Sequence, residues 1–167
     1  MGVSGAGKTS VGHLLADRLG GRFVDADDLH FPESVRKMAA GIPLDDEDRW
    51  PWLDRVAEVV RGPARPGSPT VIACSALRRA YRDRIRAGTS GGVYFVHLHG
   101  TEQTIAARMS GRGGHFMPQS LLDSQLRTLE PLGPDENGII VDISDPLPDI
   151  VAAVIAALPR AAGTHAY

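Results

Sequence analysis

The chain has 167 residues, 43% of them hydrophobic and 23% charged, with a net charge of −2. That length fits a single core, and the near-neutral balance excludes nucleic acid as the main partner, since binding to a phosphate backbone carries a basic surplus. A single cysteine, Cys74, excludes an internal disulfide. With neither a secretory leader nor an apolar run of about 18 residues, the expectation is no membrane partner and a cytoplasmic protein.

The chain opens on a complete G-x-x-x-x-G-K-[ST] sequence spanning Gly2, Val3, Ser4, Gly5, Ala6, Gly7, Lys8 and Thr9. Glycines at this spacing let successive backbone N–H groups turn inward on an anion. Lys8 then reaches the β and γ phosphates and Thr9 ligates Mg²⁺. With Ser10, these residues form the candidate binding site for ATP. Val11, Leu14, Leu15 and Leu19 follow at helical spacing, and Gly20 and Gly21 stop the helix. A loop of this kind normally follows a buried central strand, yet no residues precede it here beyond Met1. The first strand is therefore expected to be absent from the chain as given, through a late start such as a wrong start codon. A protein that truly lacked it would expose apolar surface and two unpaired sheet edges.

Short β-type runs at 22–25, 70–74, 93–98 and 138–142 alternate with helical patterns at 34–40, 46–61, 77–87, 102–110, 118–129 and 147–158. This alternation predicts an α/β fold, a parallel sheet covered by helices on both faces. The turn-rich stretches at 62–69 and 88–92 are connections inside one domain, 1–158, and 159–167 is expected to be a loose tail.

Candidate chemistry follows in chain order. Phe23-Val24 ends in Asp25, Asp27, Asp28 and His30. Carboxyl ends of strands in an open parallel sheet face the ligand crevice. One of Asp25 and Asp27 would hold Mg²⁺ through water and the other orient a substrate hydroxyl, unless Asp27 or Asp28 only caps a helix. Farther on, Asp45 or Asp46 can cap the next helix. Arg49 suits a carboxylate bidentately or makes a surface ion pair with its acidic neighbours. Cys74 reads as a structural residue, whereas Ser75, Arg78 and Arg82 are substrate candidates, the two arginines sharing a helical face. The segment from Arg108 to Phe116 is a glycine-hinged lid, with Arg108 for the nucleotide, Arg112 for the transition-state charge and His115 for positioning substrate or lid. A lone histidine with no second ligand nearby makes no zinc site.

Taken together, Gly2 to Thr9, Asp25 to His30, Lys37 to Leu44, Asp46 to Arg49 with Pro51 to Leu53, Cys74 to Arg78, Tyr81 to Asp83, Gly114 to Phe116, and Ser124 to Leu126 with Thr128 to Glu130 resemble the gluconokinases. These small P-loop kinases are relatives of shikimate kinase and the nucleoside monophosphate kinases. The resemblance covers nearly the whole chain. It implies a three-layer α/β/α P-loop NTPase fold with a mobile lid at about 108–118, usually in a homodimer. The implied activity is phosphorylation of D-gluconate by ATP at the 6-hydroxyl, feeding the pentose phosphate or Entner–Doudoroff routes. By the same analogy Asp27 meets the hydroxyl, Asp25 joins the metal shell, and His30, Arg49, Arg78 and Arg82 hold the polyol and its carboxylate. Met117, where an aromatic is more common, and Leu126, in place of a common Phe, are apolar swaps that bear on packing. Two other readings are a related kinase for another sugar acid, shikimate or a nucleoside monophosphate, and an ATP-binding protein without turnover.

Overall fold

In the computed structural model, which describes residues 1–62, 68–87, 89, 92–110 and 119–159, the opening loop runs directly into helix α1 (Lys8–Arg18). Gly7 caps that helix at φ 92, in the left-handed region where a side chain would strain the turn. Strand β1 (Arg22–Asp25) leads into a 3₁₀ turn (Ala26–Leu29), then α2 (Pro32–Ala39) and α3 (Asp46–Arg61). Asp45 caps α3 through a reciprocal box with Asp48, and Asp46, Glu47 and Asp48 complement the helix dipole. Strand β2 (Thr70–Ala73), α4 (Arg79–Arg86), β3 (Phe95–His99), α5 (Glu102–Ser110), α6 (Gln119–Thr128), β4 (Gly138–Asp142) and α7 (Leu147–Ala157) complete the order.

The strands pair in parallel, β1 with β2 in the register Arg22↔Thr70 to Asp25↔Ala73, and β3 with β4 from Phe95↔Gly138 to His99↔Asp142. These are separate two-stranded sheets among the described residues. Among the described residues, Met1 and Gly2 run between them. The Met1 amine donates to the Val96 carbonyl, Leu98 N donates to Met1 O at 2.9 Å, and Gly2 N donates to Ser75 O at 3.2 Å. Met1 thus holds the position of a strand opposite His97, and the phosphate loop leaves the sheet at its centre. Burial lowers the pKa of this amine from 8.0 to about 5, with the Lys8 charge adding to the effect.

Two apolar clusters cover the sheets. One joins α1, α5, α6 and α7 to β3 and β4 through Val11, Leu15, Leu98, Ile105, Leu122 and Val154. The other joins α3 and α4 through Trp52, Leu53, Val56, Tyr81 and Ile85. Trp52 is fully buried and its indole N–H donates to Ala26 O at 2.6 Å, so the ring ties α3 to the turn that carries the acidic residues.

Most element boundaries fall within two residues of the sequence pattern. The informative shift is at α4, expected from Leu77 but starting at Arg79. Ala76 takes a positive φ of 43, Leu77 drops into the core, and Arg78 is extended at φ −98, ψ 151. Arg78 and Arg82 therefore share no helical face.

Candidate active site

The phosphate loop depends on two close approaches. A Cβ at Gly2 would lie 2.8 Å from the Leu98 carbonyl, and one at Gly7 would lie 3.3 Å from Arg108 Nη1. Lys8 Nζ donates to Val3 O at 3.0 Å, across the loop. The Thr9 hydroxyl donates to Asp25 Oδ2 at 3.1 Å, and Asp25 Oδ1 accepts the Asp27 backbone N–H at 3.1 Å. One carboxylate thereby joins the loop's hydroxyl to the turn that presents Asp27.

Asp27 is exposed as a residue, yet the protein around its carboxyl raises its pKa, with Asp25 and Asp28 adding and Lys8 opposing. A carboxylate made more basic beside a lysine suits acceptance of a hydroxyl proton. His30 stacks on Trp52 at 4.3 Å, and burial, then the Arg49 charge, lowers its pKa to about 4. The ring is neutral near pH 7, and its Nδ1 has no hydrogen-bond partner among the described residues. Arg49 Nε donates to Leu44 O at 3.2 Å. The Arg49 and Arg78 guanidinium groups lie 5.6 and 5.8 Å from the centre of the Tyr81 ring. Asp27 thus lies in the field of Lys8, His30 in that of Arg49, and Arg49 and Arg78 both approach the Tyr81 ring. The Ser75 carbonyl braces Gly2.

On the other side of the loop, Arg108 donates to the Ile143 carbonyl. With Gly5, Gly7, Ser10, Val11, Leu147 and Ile150 it lines a cavity of about 300 Å³. Its size and mixed lining suit a nucleotide base and sugar.

Arg82 requires a correction. It is fully buried and its donors are all engaged: Nε and Nη2 grip Glu136 at 2.6 and 2.7 Å, and the remaining N–H groups reach the carbonyls of Ala76, Leu77, Glu130 and Pro131. Nothing is left for substrate. Its work is to clamp the 130–136 segment onto α4. Arg112 and His115, with most of the expected lid, lie outside the described residues.

Three residues without an expected role here also reach the site. Asp46 was expected at most to cap α3. Instead it accepts Arg78 Nη1 on both oxygens, at 3.0 and 2.8 Å, and the Tyr81 hydroxyl on Oδ1. Gln125 Oε1, on α6, accepts the Ser4 backbone N–H at 2.6 Å. The signal for Gln125 was a polar residue three and four positions from Leu122 and Leu129, on the side of α6 that carries leucines. For Tyr81 it was an aromatic among arginines.

A glycine-cradled lysine at the head of a parallel α/β sheet, with carboxylates at the next strand end, defines the class of P-loop phosphotransferases. The family described as an AAA domain matches residues 1–132. A probable gluconokinase of Mus musculus is 45% identical over 174 residues, covering 95% of this chain and 95% of the relative. A gluconokinase of Gluconobacter oxydans is 47% identical over 151 residues, covering 90% and 84%. The crystal structure of a gluconokinase from Sinorhizobium meliloti superposes with a TM-score of 0.86 at 48% identity, covering 94% of this chain and 87% of that one. The chain belongs to the gluconokinase family. Among the described residues, no helix is long and apolar enough to cross a membrane.

Proposed function

We propose that this protein transfers the γ-phosphoryl group of ATP to the 6-hydroxyl of D-gluconate, yielding 6-phospho-D-gluconate and ADP. The observation that carries this reading is the meeting of loop and cleft at Asp25 and Asp27, where one turn supports the Thr9 hydroxyl and offers Asp27 within the field of Lys8. Backbone N–H groups of the loop hold the phosphates and Lys8 balances their charge. Asp27 orients the 6-hydroxyl and accepts its proton. Neutral His30 bonds a polyol hydroxyl, Arg49 and Arg78 lie toward the carboxylate end, and Ser75 adds a contact at the edge. Arg108 holds the nucleotide, while Arg112 meets the charge on the transferring group and His115 steadies substrate or lid.

The Thr9 hydroxyl and the Asp25 carboxylate, 3.1 Å apart, fit Mg²⁺, which takes one or two protein oxygens and otherwise keeps waters and phosphate oxygens. Among the described residues no group of three His, Cys, Asp or Glu forms a closed metal cage. When bound, that ion neutralises charge on the β and γ oxygens. The same reading makes the protein a cytoplasmic homodimer, which light scattering at micromolar concentration tests.

The test of activity is ADP release from the purified chain with Mg·ATP, offering D-gluconate beside shikimate, other sugar acids and nucleoside monophosphates. Turnover with gluconate alone is expected. Turnover only with another acceptor overturns the substrate, and ATP binding by a folded chain without turnover overturns the activity.

A further inference from the structure

We propose that Asp46 limits the acceptor's anionic head to a single negative charge, by neutralising Arg78 and so leaving Arg49 as the anchoring cation of the cleft. The proposal rests on the gluconate reading above and adds to it how the head group is selected.

Two guanidinium groups, those of Arg49 and Arg78, approach one tyrosine, at 5.6 and 5.8 Å from the centre of its ring. Two such groups free to turn would suit a dianionic phosphate, which accepts forked N–H donors as a carboxylate does and brings a second charge for the second cation. Arg78 is not free. Its Nη1 meets both oxygens of Asp46, and the Tyr81 hydroxyl adds a further bond to Oδ1. Arg49 is bound only through Nε, to the Leu44 carbonyl, with no further hydrogen bond of its guanidinium among the described residues.

The charge balance follows. The Arg78–Asp46 pair sums to zero, the neighbouring His30 and Tyr81 are neutral near pH 7, and Arg49 contributes one positive charge. A monocarboxylate satisfies that charge. A dianion brings a second negative charge toward Asp46, or has to pull Arg78 away from it. The capping geometry permits this role: Asp45, not Asp46, closes the α3 box, which releases the Asp46 side chain to the cleft. Arg78 and Asp46 are 41% and 43% exposed, so solvent tempers the penalty. The expected discrimination is between about fivefold and tenfold, equivalent to about 1 to 1.4 kcal/mol.

A pair of ligands differing by one charge tests this. D-glucitol 1-sulfate and D-glucitol 1-phosphate both keep the 6-hydroxyl and have tetrahedral heads of similar size. At pH 8 the phosphate ester carries two charges, its second pKa being about 6, and the sulfate ester one. Calorimetry with the wild-type chain should find the sulfate ester tighter by about fivefold to tenfold. In Asp46→Asn, which removes the charge and keeps one oxygen acceptor, that preference should vanish or invert. A wild-type ratio within twofold overturns the proposal, as does a ratio that persists in Asp46→Asn. The wild-type comparison decides even if the variant does not fold. Absence of gluconate turnover by the wild-type chain is a separate result, which would overturn the kinase reading.

Discussion

Replacing Arg82 with methionine would leave the Glu136 carboxylate in the interior without its hydrogen-bonded cation, since both side chains are 0% exposed and grip each other at 2.6 Å. The pair is a strong one, and the arginine's hydrogen bond and charge hold the Glu136 pKa below its ordinary value. Removing one partner of a buried pair costs about 3–5 kcal/mol. A domain of this size has roughly 5–15 kcal/mol in total, so Arg82→Met should be marginal. With about 2–4 °C lost per kcal/mol, the expected fall in Tm is about 6–20 °C. The four carbonyls that Arg82 serves would also lose a donor, loosening the 130–136 segment. The assay is urea unfolding followed by tryptophan fluorescence, on the single variant and on Arg82→Met with Glu136→Leu. The double variant should recover part of the loss, because it no longer buries an unpaired charge. KM for gluconate, measured well below the transition, should change less than about twofold. A tenfold rise in KM with stability within about 1 kcal/mol of wild type would refute the clamp and return Arg82 to the substrate.

Lys8→Ala and Asp27→Asn should each lower kcat by orders of magnitude with an unchanged circular dichroism spectrum; near-normal turnover in either would remove its assigned role. Stability should fall on acidification. Burial lowers the pKa of His97 from 6.5 to about 4, so between those values the unfolded chain holds a proton that the folded chain refuses. The contribution is complete above pH 6.5 and is lost as pH falls towards 4, at most about 3 kcal/mol. Neither ring nitrogen of His97 has a partner among the described residues; His97→Leu should therefore flatten that part of the urea-midpoint profile, and an unchanged slope would assign it elsewhere. Burial pushes the Cys74 thiol up to about 12, so the native chain should react with a disulfide reagent at neutral pH far more slowly than the urea-unfolded chain. Similar rates would show that Cys74 is reachable in the folded state.

The phosphate loop and the order of strands and helices were legible because each is a local pattern, a motif of eight residues or an alternation of apolar runs. The α3 start was half legible: Asp45 and Asp46 are equally good caps by type, and only the turn geometry decides between them. Arg82 was misread for a physical reason. Its partner Glu136 stands 54 positions away, and the inference from helical spacing assumed that Arg78 was already helical, whereas the positive φ at Ala76 delays the helix to Arg79. Asp46 and Gln125 escaped the same way, since their contacts, Arg78 and Ser4, lie on other elements.

The seam at Met1 and Gly2 divides the sheet into two leaves that, in the proposed reaction, serve different ligands. The β1–β2 leaf carries Asp25 and leads into Asp27, while the β3–β4 leaf leads into Ile143 and Leu147 on the nucleotide side. The phosphate loop leaves the sheet along that seam. Two ligands bound one to each leaf would therefore press on the same pair of residues, and the bonds of Met1 and Gly2 to Val96, Leu98 and Ser75 would carry any coupling between them.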